Sequence, residues 1–395
     1  MSPGLFCGVL LATLMVGSPS AASPMASQGA RDGDPVLIGT YRELHSDVLD
    51  EDRLLLVSLP TGYEGSSASY PVLFVLYGDD VRGYFAEAVH TVDRLSEEGS
   101  ILQMVVVGVA NVDRYRDLSP IDRPGQPSRI ERFLRFFAEE LMPYVETQYR
   151  TKDLRLLVGP QAGAEFGLYA LSRSPGLFDA MILSNPFRST AVHEFLLTAL
   201  GEQLSEGFVT PTFIQITCTD TEGLVARTAE VEYARDFQKT VGRMSPHNLS
   251  LVVHYLEHNQ DFIPSLRLGE GLRELFRGYR FPDDRNVRGF TDIADYYAAL
   301  SERLGFDLDI PERALVLKAD ELSQSGAGDA AMEVLENLLR LYPASADGHW
   351  RLANLCRERG DSSAALEHYR RCLEIIPNMR PAREWIDRLE TEERR

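Results

Sequence analysis

Short runs of consecutive apolar residues recur along the first two thirds of the chain, separated by stretches with helical spacing. Tyr70–Tyr77, Met104–Val109, Leu154–Val158, Ala180–Leu183, Thr212–Thr217 and Leu249–Tyr255 are runs of the first kind. Apolar runs of this length suit strands buried on both faces of a parallel sheet. Between them, Phe85–Glu98, Ile130–Gln148, Glu165–Arg173, Val231–Val241 and Leu266–Phe276 repeat their apolar residues at the helical period. Gly39–Pro60 alternates apolar and polar residues and predicts further strands ahead of a Gly/Ser-rich loop at Gly62–Ser69. Strand and helix in strict turn predict the α/β class, with a doubly wound, mostly parallel sheet. In such sheets chemistry gathers at the carboxyl ends of the strands.

The pattern changes near residue 280. No strand signal follows, and Ile293–Leu304 has helical periodicity. From Pro311 onward the sequence repeats with a spacing of 34: Ala319 with Ala353, Gly326 with Gly360, Ala331 with Ala365, Leu335 with Tyr369, Leu338 with Cys372, Pro343 with Pro377. Small residues where two helices cross closely, with Pro after the second, form the tetratricopeptide pattern. It predicts an all-α repeat domain with helices at Pro311–Ser325, Asp329–Leu341, Ser345–Arg359 and Ser362–Ile375, and a capping helix at Pro381–Arg395. Trp350, Leu352 and Tyr369 read as core of this pair. Two repeats are fewer than such arrays need to stand alone, so they are expected to lean on Ile293–Leu304.

Leu5–Val16 is an apolar run of about a dozen residues, too short to span a bilayer. Small residues follow, and a cut after Ala22 fits the small-x-small rule, with Ala26 the alternative. The run has no Lys or Arg before it. The expected layout is a signal peptide at 1–22, a linker at 23–35, the sheet domain at 36–282, a helical connector at 283–310 and the repeats at 311–395. An exported protein with no integral span after signal removal is expected. Net charge is −19, which would repel nucleic acid or an anionic membrane. Signal removal leaves Cys218, Cys356 and Cys372, an odd number that implies no disulfide framework. Cys356 and Cys372 fall on opposing helices of one repeat and read as small buried side chains.

The stretch from Leu156 to Ala164 (LLVGPQAGA) carries the chemistry. A buried strand runs into Gly159-Pro-Gln-Ala-Gly163 and then a helix, the setting of a nucleophile elbow. The two glycines permit a turn sharp enough to raise the central side chain above the sheet. That residue is serine in active hydrolases of this kind; here it is Gln161.

The surrounding segments extend the likeness: His45–Leu49 with Arg53–Tyr63, Tyr70–Gly78, Val105–Arg114 with Arg116–Pro120, Phe133–Arg150, and Gly167–Leu171 with Pro175–Phe178. Over Ile38–Pro282 the chain resembles the Putative esterase family of the α/β-hydrolase superfamily, which includes enterochelin esterases, S-formylglutathione hydrolases and mycolyl transferases. The resemblance implies a histidine at His258, after Leu249–Tyr255, and an acid after Thr212–Thr217, at Asp220 or Glu222. It implies oxyanion donors on the backbone of Ala162 and of Gly78-Asp79. The Asp-Gly common at that loop is Tyr77-Gly78 here.

A carboxamide offers no ionisable proton to His258 and is a very poor nucleophile, so no acyl-enzyme forms at Gln161. Three functions are consistent with the sequence. The first is a catalytically impaired esterase-type protein whose old pocket or repeats bind a ligand, such as an ester or acyl-like small molecule, or a protein. The second is an active carboxylic-ester hydrolase using a displaced serine (Ser172, Ser174, Ser184 or Ser189) or water activated by His258. The third is a scaffold whose repeats hold a protein or peptide. His258 also reads as an inherited residue held by local hydrogen bonds, and Asp220 and Glu222 as solvated loop acids. His90 and His193 lack metal-ligand spacing with other His or Cys, and no metal or cofactor is expected.

Overall fold

The computed structural model describes residues 37–393 apart from 67, 79–82, 111–112, 221–224 and 258–263. The expected signal peptide and linker lie outside the described residues.

Two antiparallel strands open the fold, β1 (Thr40–Ser46) and β2 (Glu51–Ser58). Their turn closes through Asp50, at φ 59°, whose N–H donates to the Ser46 carbonyl. Then come β3 (Tyr70–Leu76), α1 (Tyr84–Glu97), β4 (Val105–Val109) and α2 (Arg114–Leu118). Next are α3 (Ile130–Arg135), a π-helical turn at Phe136–Leu141, and α4 (Met142–Gln148). The sheet continues through β5 (Thr151–Pro160), α5 (Ala162–Arg173), β6 (Ala180–Ser184), α6 (Thr190–Glu206), β7 (Thr212–Asp220), α7 (Val225–Met244), β8 (Leu249–Glu257) and α8 (Pro264–Leu275). The eight strands lie in the order β1-β2-β4-β3-β5-β6-β7-β8. β2 meets β4 antiparallel, and every later pairing is parallel. This is an α/β-hydrolase-like sheet.

Burial explains the placement. All residues of β3 and β4 are buried, as interior strands covered on both faces require. In β1 only Ser46 is buried, and it forms the edge. Along β3, Leu73 and Val75 face the layer of α1 and α8, while Val72, Phe74 and Leu76 face the layer of α3 to α7. The second layer is anchored by edge-to-face rings of Phe74, Phe133, Phe137, Phe166 and Phe178.

The predicted helix Ile130–Gln148 is continuous but widens ahead of Pro143, where the Met142 N–H reaches back five residues to the Phe137 carbonyl. Proline supplies no N–H of its own, and a π turn absorbs the mismatch. Helix α6 is not among the predicted elements. Its buried side (Val192, His193, Leu196, Leu200, Leu204) is a narrow stripe, and other apolar residues around its circumference blur the period. The Ser189 hydroxyl caps it by accepting from the Val192 N–H.

A buried ion pair fixes α2 over the sheet's carboxyl edge. Arg53 on β2 and Asp117 on α2 are both fully buried, with Nη2 2.9 Å from Oδ2. Arg116 holds the other Asp117 oxygen at 2.8 Å, and Glu51 accepts from both arginines. Removing one member of such a network costs about 3–5 kcal/mol, because a charge is left buried alone.

The C-terminal region is helical: α9 (Phe290–Leu304), α10 (Glu312–Gln324), α11 (Gly328–Leu341), α12 (Ala346–Glu358), α13 (Ser362–Ile375) and α14 (Arg380–Glu393). Gly326 and Gly360 sit at φ 83° and 81° in the turns joining α10 to α11 and α12 to α13. Ala319, Ala331, Ala353 and Ala365 are buried at the crossings. α11 packs on α9, and one apolar cluster runs from the α1/α8 face of the sheet through to α14. Cys218, Cys356 and Cys372 are buried free thiols. Among the described residues no helix is long and apolar enough to cross a membrane.

Candidate active site

The site forms where β5 ends. β5 is buried from Leu156 to Pro160, and α5 begins at Ala162. Gln161 lies between them at φ 51°, ψ −114°, with its side chain exposed. Its N–H donates to the Ser184 carbonyl at 2.7 Å, and its carbonyl accepts from the amides of Ala164 and Glu165. These bonds tie the turn to β6 on one side and to the new helix on the other. They hold Gln161 in a conformation that costs a non-glycine residue about 1–3 kcal/mol.

The glycines have distinct tasks. A Cβ on Gly159 would stand 2.4 Å from the Gly163 carbonyl oxygen, so the strand could not approach its own helix. A Cβ on Gly163 would press on Leu76 at 3.1 Å. Gly78, after β3, packs so closely on β4 that a Cβ would lie 2.3 Å from the Val109 nitrogen. Its N–H donates to the Val109 carbonyl at 3.0 Å and is committed to the sheet.

Tyr77, at φ 62°, is almost fully buried. Burial pushes its phenol up to about 12, against the pull of Arg188 and Arg114. The backbone N–H of Ala162, the first amide of α5, lowers it more weakly than these arginines do. The Arg114 guanidinium lies 4.1 Å over the Tyr77 ring, and Tyr84 meets that ring edge-on at 5.9 Å. Tyr115 lies beneath two further guanidiniums, Arg123 at 3.4 Å and Arg188 at 4.9 Å. Arg188 pairs at 2.5 Å with Glu165, which is fully buried one turn beyond Gln161. Burial raises the Glu165 carboxyl, and Arg188 opposes that rise.

Asp220 closes β7 in register with Glu257 at the end of β8. Asp79, Glu222 and His258 lie outside the described residues. Ser172 donates to the Tyr169 carbonyl and Ser189 caps α6, so both hydroxyls serve local structure. Among the described residues no group of three His, Cys, Asp or Glu is placed to hold a metal ion. His193 stacks on Tyr233 at 4.6 Å. The sequence reading found the elbow but not its Arg and Tyr surround. The one signal was tyrosine in place of aspartate before Gly78.

A strand, a tight turn and a helix at the centre of this strand order direct the comparison with known proteins. Residues 46–213 match the Putative esterase family. An uncharacterised Bacillus subtilis protein, YjcH, is 28% identical over 158 residues, covering 38% of this chain and 62% of that protein. The ferri-bacillibactin esterase BesA of Bacillus subtilis is 29% identical over 139 residues, covering 30% of this chain and 48% of that protein. The chain thus spans from about half to three fifths of these relatives' lengths. An IroE-like serine hydrolase from Shewanella oneidensis is similar in structure, with a TM-score of 0.66 at 22% identity, over 77% of this chain and 99% of that one. At that identity the likeness concerns the fold. The esterase match covers the elbow, Tyr77 and the Arg/Tyr surround, but ends before Asp220 and His258.

Proposed function

We propose that this chain is an exported esterase-type protein in which Gln161 takes the place of the nucleophilic serine, and which binds an ester or acyl-like small molecule without efficient turnover. The observation that carries the reading is Gln161 at φ 51° in the turn between β5 and α5, within the esterase-matched segment. Loss of a triad nucleophile alone lowers turnover about 10⁶-fold. A carboxamide has no proton that a histidine at 258 can usefully remove. His258, with Asp220 or Glu222, would complete the inherited framework. Activation of water by this pair is the alternative route to an active hydrolase.

The helices from α10 to α13 are read as a tetratricopeptide pair offering a surface to a protein or peptide. The repeated small residues and the paired turn glycines support this.

The deciding assay is hydrolysis of 4-nitrophenyl butyrate by the full chain. Wild type should be near background, and Gln161→Ser should turn the ester over. Robust wild-type turnover, abolished by His258→Ala, would overturn the proposal in favour of the active hydrolase.

A further inference from the structure

Among the described residues, three arginines gather at the edge of the sheet beside Gln161, in a chain whose net charge is −19. Arg114, Arg123 and Arg188 come from two different connections, those after β4 and β6, and converge on two tyrosine rings. Stacking orders a guanidinium while leaving its N–H edge able to meet a carboxylate in two parallel hydrogen bonds.

The described acids near this cluster have partners. Asp113 accepts from the Tyr115 and Arg116 amides and from Gln126. Asp122 accepts from the Ser128 amide. Asp117 and Glu51 are held by Arg53 and Arg116. Glu165 pairs with Arg188 and feels Arg123 more weakly. Arg123 itself is exposed, and its guanidinium is set over the Tyr115 ring. Arg188 pairs with Glu165 in the first turn of α5, which ties the cluster to the helix that follows Gln161.

We infer that the ligand of this site is an ester or acyl compound that also bears a carboxylate, with Arg123, ordered over the Tyr115 ring, meeting the negative charge. Arg114, stacked on Tyr77, adds to the positive potential that draws the anion in. The inference rests on the site being a ligand pocket, as proposed above, and adds the class of ligand. A neutral ester would take water from Arg123 and return no charge, whereas an anion answers it.

Calorimetric titration of the full wild-type chain with monoethyl phthalate and with diethyl phthalate tests this. The two probes share ring and ester and differ by one carboxylate. The expected result is at least about tenfold tighter binding of the monoester, a preference that shrinks at high salt. Arg123→Gln, checked for an unchanged melting temperature, should remove most of that preference, and Arg114→Gln should reduce it. Equal binding of the two probes, or a preference that survives Arg123→Gln, overturns the anion inference and leaves the pocket reading standing. Binding of neither probe overturns both.

Discussion

Gly159 and Gly163 meet so closely that a Cβ on the first would lie 2.4 Å from the carbonyl oxygen of the second. The obstacle is backbone at the start of α5, which cannot rotate aside as a side chain can. Gly159→Ala should destabilise the fold by about 3 kcal/mol or more, at the upper end of overpacking costs. Chemical denaturation should show a lowered midpoint whether the substitution is made in wild type or in the Gln161→Ser variant, because the requirement is steric.

Gln161 carries the opposite expectation. Its φ of 51° with ψ −114° is held by bonds to Ser184 and to the first turn of α5. Glycine adopts that conformation without strain but loses more chain entropy on folding. The balance favours Gln161→Gly by about 1 kcal/mol, read as a small rise in melting temperature. A fall in stability would mean that the amide side chain makes a structural contact of its own.

His349 and His368 supply a pH dependence remote from the elbow. Their Nδ1 atoms lie 3.0 Å apart, and His349 Nε2 is 3.2 Å from the Pro343 carbonyl. The carbonyl requires N–H at Nε2, so neutral His349 accepts at Nδ1 from the N–H of His368. Protonating His349 would set two N–H groups against each other. Burial lowers both imidazoles; the Pro343 carbonyl partly offsets this for His349, and His349 itself lowers His368 further. Glu336, Glu367 and Glu374 oppose the lowering, and Arg371 adds to it. The unfolded chain therefore takes up protons first as pH falls. Stability should be full above about 6.5, the free imidazole value, and should decline below it. Thermal melts between pH 7.5 and 5 should show a smaller drop for His368→Gln than for wild type. Equal drops would assign the pH dependence to other groups.

The order of elements was legible because the parallel strands are apolar runs, the first two strands alternate, and most helices carry a clean period. Gly159, Gln161 and Gly163 could be placed at a turn because the two glycines stand between a buried apolar run and a helical period. Helix α6 escaped because apolar residues lie on more than one side of it. The π turn escaped because a side-chain pattern does not report which carbonyl an N–H selects.

The sequence by itself determined the alternation of strands and helices, the change to helices after residue 280, and the identity of the side chain at the elbow. These are local properties of period and spacing. Only the tertiary structure decided that β4 lies between β2 and β3, that Arg114 stacks on Tyr77, and that Arg123 and Arg188 meet at Tyr115. Strand order brings the ends of β3, β4, β5 and β6 together across long stretches of chain, and no short-range pattern encodes which loops will meet.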